Sequence, residues 1–158
     1  MKLWRQESPY GEVTVVESDA GVREISLPGD DQPDGLLGAP DRKVARQLDD
    51  WFAGKRHAFS MELDLEGIEG FRRLALVTLA REVGWGETVT YGELADLAGR
   101  PRAARAAGTA MRDNPLPFVI PCHRVVAAGG RIGGYGGGRN AVALKRQLLA
   151  REGVTDLR

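Results

Sequence analysis

A single cysteine followed directly by a histidine is the pair of residues in this chain best suited to chemistry. Cys122 is the only cysteine among 158 residues, so it cannot form an internal disulfide bond, and His123 is one of two histidines. A cysteine thiolate is a strong nucleophile, and a neighbouring imidazole can accept the proton that the thiol must lose. A free cysteine is more commonly a small buried hydrophobic residue without a reaction to perform. The choice between these interpretations depends on the flanking residues.

The sequence around this pair predicts that the cysteine lies on a rigid turn. Residues 118–120 before it form a short apolar run typical of a buried strand, and residues 125–128 after it form a second one. Pro121 stiffens the turn between the two segments because its ring fixes one backbone angle. A half-buried, rigid turn beside a proton acceptor is a suitable position for a nucleophile, so the flanking residues favour a chemical role for Cys122.

The segment at residues 114–125, NPLPFVIPCHRV, resembles the active-site segment of the O6-alkylguanine-DNA alkyltransferases, also called methylated-DNA–protein-cysteine methyltransferases. The resemblance extends over residues 85–153 as several motifs in the same order, which is more specific than one short motif. Residues 1–65 resemble the family's amino-terminal domain only loosely. The resemblance implies repair of O6-alkylguanine in DNA, and also of O4-alkylthymine, by irreversible alkyl transfer to Cys122 in a single turnover. This reaction needs no cofactor and no metal ion.

Composition and pattern predict an α+β fold with two domains. The hydrophobic fraction of 42% and the charged fraction of 28% are ordinary for a soluble globular protein. We expect an amino-terminal α/β structural domain with a small antiparallel sheet at residues 1–66. Residues 67–158 are expected to form a winged-helix-like domain, with a helix-turn-helix, that binds DNA and carries out alkyl transfer.

The amino-terminal part is predicted to be structural. Strand-like runs at residues 13–16 and 22–27 predict a hairpin, and Asp41 is placed to cap the amphipathic helix that follows it. The alternation at residues 61–65 predicts another strand. No catalytic constellation occurs in this part, and His57 is interpreted as a surface residue.

The sequence pattern predicts helices at residues 71–83, 91–98, 102–112 and 141–152. The expected apolar face of the first comprises Phe71, Leu74, Leu76, Leu79 and Val83, and that of the last comprises Val142, Leu144, Leu148 and Leu149. Thr90 and Glu93 fit a capping box at the start of the second helix. The second and third helices, separated by Gly99, predict a helix-turn-helix.

Charge is distributed unequally although the whole chain is neutral. Residues 1–70 carry a net charge of −7 and residues 71–158 a net charge of +7, which favours a polyanion facing the basic half, with chance segregation as the alternative. The third predicted helix is rich in alanine, and Arg105 is the long side chain at its centre. Such a smooth helix suits the minor groove, where Arg105 could fill the gap left by an extruded base. The alternative is an internally packed helix with Arg105 in a salt bridge.

The resemblance assigns roles to further residues of this sequence. His123 is expected to take the thiol proton through a water molecule, with Glu152 orienting the imidazole. Tyr91 is expected to donate to the leaving guanine and to contact the rotated phosphate, and the amide of Asn114 to hold the active-site turn. The expected base pocket comprises Pro117, Val125, Tyr135 and Gly136. The expected DNA-binding residues are Arg105, Ala103, Ala104, Gly108, Thr90 and Arg112.

The sequence departs from the family pattern in two places. Gly84-Trp85 stands where many relatives have Pro-Tyr. The chain between Tyr135 and Lys145 is about three residues longer than is usual, in a loop where insertions are tolerated. This difference bears on the pocket lip and on the placement of Glu152. The glycine-rich residues 129–138 are expected to form a pocket wall, with a bare flexible loop as the alternative.

Three rival functions have specific requirements that can be compared with the sequence. A non-catalytic alkyltransferase-like binder of damaged guanine usually lacks the cysteine that this chain has. A Cys-His hydrolase needs an oxyanion hole and repeated turnover, and it leaves the helix-turn-helix without a role. A DNA-binding regulator needs long polar side chains on its recognition helix, which is nearly bare here.

The expected partner is double-stranded DNA bound through its minor groove by a monomeric protein. No membrane association is expected, because no apolar run approaches the ~20 residues needed to span a bilayer. A lone cysteine suits the reducing cytoplasm, which is the expected location. A zinc site built on cysteines is excluded, because such a site requires several ligands.

Overall fold

The computed structural model describes residues 1–135 and 141–158. The described residues form two compact units, Met1–Leu65 and Glu66–Arg158. Sheets and helices occur together, which is the α+β class that the sequence predicts. No helix within the described residues is long and apolar enough to cross a membrane.

The first unit contains a three-stranded antiparallel sheet. Its strands are β1 (Lys2–Ser8), β2 (Gly11–Ser18) and β3 (Gly21–Ser26), paired in that order. The predicted hairpin of β2 and β3 is therefore confirmed, and β1 is an additional strand that the sequence analysis did not predict. Gly21 has φ of 143°, and a Cβ atom there would lie 2.5 Å from the carbonyl oxygen of Glu62, so this tight passage requires glycine.

The strand predicted at residues 61–65 is wrong. Only Leu63 forms an isolated parallel bridge, opposite Val22. The alternation that suggested a strand has another cause, because Asp64 is the buried residue and the apolar neighbours on either side are only half-buried. The carboxylate of Asp64 accepts hydrogen bonds from Ser18 and Arg23, so the segment is held by its polar side chain.

Helix α1 (Arg42–Phe52) is capped as predicted. The Asp41 carboxylate accepts hydrogen bonds from the backbone N–H groups of Lys43 at 2.9 Å and Val44 at 3.2 Å. Capping by aspartate satisfies N–H groups that have no partner inside the helix. The buried face of the helix consists of Val44, Leu48, Trp51 and Phe52. His57, beyond this helix, is exposed.

The second unit is mainly helical. Its helices are α2 (Gly70–Glu82), α3 (Tyr91–Leu97), α4 (Ala104–Arg112) and α5 (Ala141–Arg151), and the short strands β4 (Val89–Thr90) and β5 (Val125–Val126) pair in parallel. The capping box is confirmed: the Thr90 hydroxyl accepts from the Glu93 N–H, and the Glu93 carboxylate accepts from the Thr90 N–H. Helix α4 begins two residues later than predicted because Arg102 has φ of 76°, outside the helical region.

Two predicted apolar faces need correction. Leu74 of α2 is 44% exposed and Val142 of α5 is 42% exposed, so neither belongs to the core. In α2 the buried residues are Ala75, Leu76, Thr78 and Leu79. In α5 they are Lys145, Leu148 and Leu149. Lys145 occupies a buried position that an apolar residue usually fills. The spacing of apolar residues in the sequence does not predict a buried lysine.

The strand predicted at residues 118–120 is also wrong. Phe118 has φ of 71°, and the N–H of Ile120 donates to the carbonyl oxygen of Leu116 at 2.8 Å, so the chain forms a compact turn. Phe118 and Ile120 are nevertheless buried, as the apolar run indicated. This turn leads into a short 3₁₀ helix, Cys122–Arg124, which runs directly into β5.

Candidate active site

Cys122 begins the 3₁₀ helix and is held by the turn before it. The cysteine is 6% exposed, and its N–H donates to the carbonyl oxygen of Ile120 at 2.7 Å. The side chain of Asn114 secures the same turn from both sides. Its amide nitrogen donates to Ile120 O at 2.9 Å, and its oxygen accepts from the N–H of Leu116 at 3.0 Å. The backbone around the thiol is therefore fixed by hydrogen bonds.

A cavity of about 210 Å³ is lined by Tyr91, Gly108, Met111, Arg112, Cys122, Gly134 and Tyr135. Gly133, in the glycine-rich segment after β5, lies close to Tyr91. Gly133 has φ of 77°, and a Cβ atom there would lie 3.1 Å from the Tyr91 hydroxyl oxygen and 3.2 Å from the N–H nitrogen of Ala127. Glycine at this position therefore allows the loop to pack against the tyrosine that faces the cysteine's cavity.

The cavity brings together some of the predicted pocket residues and not others. Tyr135 contributes to the wall as predicted, and so does Gly134 of the glycine-rich segment that was expected to form a pocket wall. Met111 is a wall residue that the sequence analysis missed. Pro117 and Val125 are buried and lie outside this set of wall residues. The predicted pocket residue Gly136 lies outside the described part of the chain.

His123 and Glu152 form a buried hydrogen bond. His123 Nε2 lies 2.7 Å from Glu152 Oε2, and both side chains are completely buried. Glu152 follows the last residue of α5, where the negative end of the helix dipole disfavours a carboxylate unless donors surround it. The predicted orienting contact between these two residues is thus present in the structure.

Arg124 is the main residue of this network that the sequence analysis missed. Its Nε donates to Glu152 Oε1 at 2.8 Å and its Nη2 to Oε2 at 3.2 Å, while Nη1 donates to the carbonyl oxygen of Val83 at 2.9 Å. The N–H of Gly86 adds a donor to Glu152 Oε1 at 3.1 Å. A buried arginine needs such a carboxylate, and its position in an apolar segment was a signal that a distant acid was required.

The network sets the protonation states of its members. Burial by itself raises the pKa of Glu152, but hydrogen bonds from His123 and Arg124 outweigh it and lower the pKa from 4.5 to about 2. Burial lowers the pKa of His123 below its usual 6.5, and the Glu152 carboxylate opposes this only in part. The imidazole is therefore neutral at physiological pH and able to accept a proton.

Burial also raises the pKa of the Cys122 thiol above its usual 9.0. Hydrogen bonding by Asn114 and the positive charge of Lys145 act in the opposite direction. The resting nucleophile is accordingly a protonated thiol, which needs a base and a stabilising charge to react. The pKa of the Tyr91 phenol is also raised, by burial and by the neighbouring Cys122. The phenol therefore stays protonated and can donate a hydrogen bond.

Comparison with known proteins identifies the family. The sequence model of the 6-O-methylguanine DNA methyltransferase DNA-binding domain matches residues 72–154. The human methylated-DNA–protein-cysteine methyltransferase is 37% identical over 97% of this chain and 81% of its own length.

The chain belongs to the 6-O-methylguanine DNA methyltransferase family.

Further members of this methyltransferase family support the assignment. The Mycobacterium bovis methylated-DNA–protein-cysteine methyltransferase is 45% identical over 76% of this chain and 67% of its own length. The crystal structure of Mycobacterium tuberculosis OGT in complex with DNA superposes with a TM-score of 0.86 at 34% identity, covering 96% of this chain and 92% of that one. The resemblance seen in the sequence is confirmed.

Arg105 lies on α4, the second helix of the helix-turn-helix, and is exposed to solvent. Only Ala107, Ala110 and Met111 of α4 are buried. Arg105 is exposed and forms no ion pair with any described residue, which disagrees with the alternative of an internal salt bridge. The other predicted DNA-binding residues are accessible at least in part: Thr90, Ala103, Ala104 and Gly108 are half-buried and Arg112 is exposed.

Replacing Glu152 by glutamine is expected to destabilise the folded methyltransferase and to change its acid sensitivity. Because the variant leaves the guanidinium of Arg124 buried without its counter-charge, we expect a loss of about 3–5 kcal/mol near neutral pH. The pKa of Glu152 is lower in the folded chain (about 2) than the usual value of 4.5, so its stabilisation is complete above pH 4.5 and lost as the pH falls toward 2. Denaturant unfolding across this pH range measures both effects.

The control for this experiment is Glu82→Gln, which changes an exposed carboxylate paired with Arg81. This control should keep the wild-type acid dependence and lose about 1 kcal/mol or less. Wild-type acid dependence in Glu152→Gln would show that Glu152 is not the acid with the lowered pKa.

Proposed function

We propose that this chain repairs O6-alkylguanine in DNA by transferring the alkyl group irreversibly to its own Cys122. Its relatives are named methylated-DNA–protein-cysteine methyltransferases, a name that states both the donor and the acceptor of the methyl group. The observation that carries the assignment to Cys122 is its position. The only cysteine of the chain lies on the wall of a cavity, on a turn fixed by Asn114 and followed by the buried His123–Glu152 pair. O4-alkylthymine is a second substrate under the same chemistry.

The transfer begins with removal of the thiol proton. His123, neutral because of its burial, takes this proton through a water molecule, and Glu152 orients the imidazole and stabilises the resulting charge. The thiolate attacks the alkyl carbon, the carbon–oxygen bond breaks, and its electron pair leaves with the guanine. Tyr91, whose raised pKa keeps it protonated, donates a hydrogen bond to the leaving base. The product is a thioether, which water does not readily cleave, so each protein molecule reacts once.

The damaged base reaches the thiol by leaving the double helix. A base inside the duplex is inaccessible to a buried nucleophile, so it must rotate out of the stack into the cavity. In this proposal α3 and α4 approach the minor groove, with contacts from Thr90, Ala103, Ala104, Gly108 and Arg112, and Arg105 fills the vacated space. Tyr135, Pro117, Val125 and Gly136 complete the base pocket.

We assign DNA binding and alkyl transfer to residues 67–158 and a structural role to residues 1–66. The M. tuberculosis relative was crystallised in complex with DNA, which supports a DNA-binding role for the matching part of this chain. We further propose that the protein acts as a monomer and works in the cytoplasm without a cofactor. The non-catalytic binder of damaged guanine is not favoured, since the relatives carry the name of the enzyme and Cys122 lies on the cavity wall.

The stoichiometry of repair tests the proposed function. The protein is incubated with an excess of duplex DNA containing one O6-methylguanine, and repaired guanine is counted over time. Repair should stop when one guanine has been restored for each protein molecule, because the thioether blocks Cys122. Continued turnover beyond that point would show that the protein is a hydrolase, and binding without any restored guanine would support the non-catalytic alternative.

A further inference from the structure

Lys145 is a buried cation that the reaction described so far does not use. It lies in α5 and has no exposed surface. Its ammonium donates to the carbonyl oxygens of Val125 at 2.7 Å and Gly134 at 2.9 Å. Within the described part of the chain it forms no ion pair with a carboxylate. Burying an ammonium without an anion costs several kcal/mol, so the chain retains a charge that the resting fold does not neutralise.

The groups that hold Lys145 belong to the active site. Gly134 lines the cavity that contains Cys122, and Val125 directly follows the 3₁₀ helix that Cys122 begins. The ammonium also lies 5.9 Å from the centroid of the Tyr91 ring, which lines the same cavity. Since its two acceptors are backbone carbonyls, the charge is fixed in position behind the cavity wall.

The other charged groups of this region are already paired. Glu152 accepts hydrogen bonds from Arg124 and His123, and the cavity-wall residue Arg112 pairs with Asp113. The remaining ionisable groups on the described wall are two phenols and one thiol, so the wall holds no carboxylate. The negative charge that appears here during the reaction is the thiolate of Cys122.

We infer that Lys145 is the counter-charge of the Cys122 thiolate, a positioning residue that its two carbonyl contacts hold where the reactive anion forms. The inference rests on the proposed function, because it takes Cys122 as the nucleophile. The directions of the pKa shifts agree with it. Burial lowers the pKa of Lys145 from 10.5 to about 8 while Cys122 raises it, and in return Lys145 lowers the pKa of Cys122. Such coupling is reciprocal, so each group favours the charged form of the other.

This coupling makes a specific prediction about the thiol. The pH dependence of the reaction of Cys122 with iodoacetamide, a small neutral electrophile, reports the apparent pKa of the thiol without DNA. In Lys145→Met this pKa should rise by about one unit, which makes the reaction about tenfold slower at neutral pH. Lys145→Arg should keep most of the wild-type profile because it keeps the charge. Lys43→Met, which removes an exposed positive charge from α1, is the control and should leave the profile unchanged.

An unshifted pH profile in Lys145→Met, with or without a uniform change of rate, would overturn the inference and make Lys145 a purely structural residue. If the methionine variant does not fold, the wild-type protein supplies the test. The pKa of Lys145 is measured by NMR of its side chain before and after Cys122 is blocked with iodoacetamide. The titration is followed through the pH range in which Cys122 ionises. Lys145 should lose its proton at a lower pH after blocking, because the thioether, unlike the thiolate that forms as the pH rises, cannot stabilise the ammonium. An identical titration before and after blocking would refute the coupling.

These outcomes are separable from those that test the proposed function. If Cys122 is not the alkyl acceptor, no methyl group appears on Cys122 after incubation with O6-methylguanine DNA, while the thiol and Lys145 still titrate as a coupled pair. If repair proceeds normally and the coupling is absent, only the role of Lys145 is wrong.

Discussion

Cys122→Ser is expected to abolish alkyl transfer and to leave DNA binding intact. A serine hydroxyl is far less acidic than a thiol and far less nucleophilic, and the buried His123 cannot ionise it for attack on an alkyl carbon. The substitution changes one atom in a residue that is 6% exposed, so the turn held by Asn114 should keep its structure. Transfer from labelled O6-methylguanine duplex should fall below detection, while affinity for the same duplex, measured by fluorescence anisotropy, should match wild type.

Cys122→Ala serves as the matched variant, because it removes the nucleophilic atom without introducing a hydroxyl. It should behave like Cys122→Ser in both assays. Residual transfer in both variants would mean that another residue accepts the alkyl group. Loss of DNA affinity in both would mean that the thiol belongs to the binding surface, against the separation of binding from chemistry.

Arg105→Ala is expected to slow repair of duplex DNA by about 10²-fold. Extruding a base costs a few kcal/mol, and each 1.4 kcal/mol added to a barrier is a tenfold loss of rate. Arg105 is the exposed side chain proposed to occupy the vacated space, so its removal leaves that cost without compensation. Alkyl transfer from free O6-benzylguanine should be nearly unaffected, since the free base has no stack to leave. The measured quantity is the ratio of the two rates in one variant.

Two further variants sharpen this experiment. Arg105→Lys should recover only part of the duplex rate, because an ammonium lacks the planar, hydrogen-bonding surface of a guanidinium. Arg81→Ala removes an exposed positive charge from α2 and should leave the ratio unchanged. An equal fall of both rates in Arg105→Ala would assign Arg105 to the structure of the pocket and would reject its role in base flipping.

The features predicted correctly from the sequence are those formed between residues close together in the chain. The capping box of Thr90 and Glu93 and the cap at Asp41 formed as predicted, because each requires partners only two or three residues away. The backbone of the active-site turn could not be predicted in the same way. Residues 118–120 are apolar and partly buried, which resembles a strand, but the left-handed conformation of Phe118 depends on the packing of the whole turn.

The charged residues missed by the sequence analysis have distant partners. Arg124 pairs with an acid 28 residues away and donates to a carbonyl group 41 residues away, and no local pattern specifies either contact. Lys145 lies on a helix whose apolar periodicity is weak, and its acceptors are backbone oxygens, which the sequence does not mark. Only the tertiary structure identifies the partners of buried charges of this kind.

The most direct test of the proposed reaction is peptide mass mapping after wild-type protein has been incubated with O6-methylguanine duplex. One added CH₂ unit is expected on the peptide containing Cys122, as a thioether, in amounts equal to the guanine restored in the DNA. Restored guanine alongside unmodified protein, or a methyl group on any other residue, would contradict the proposed reaction.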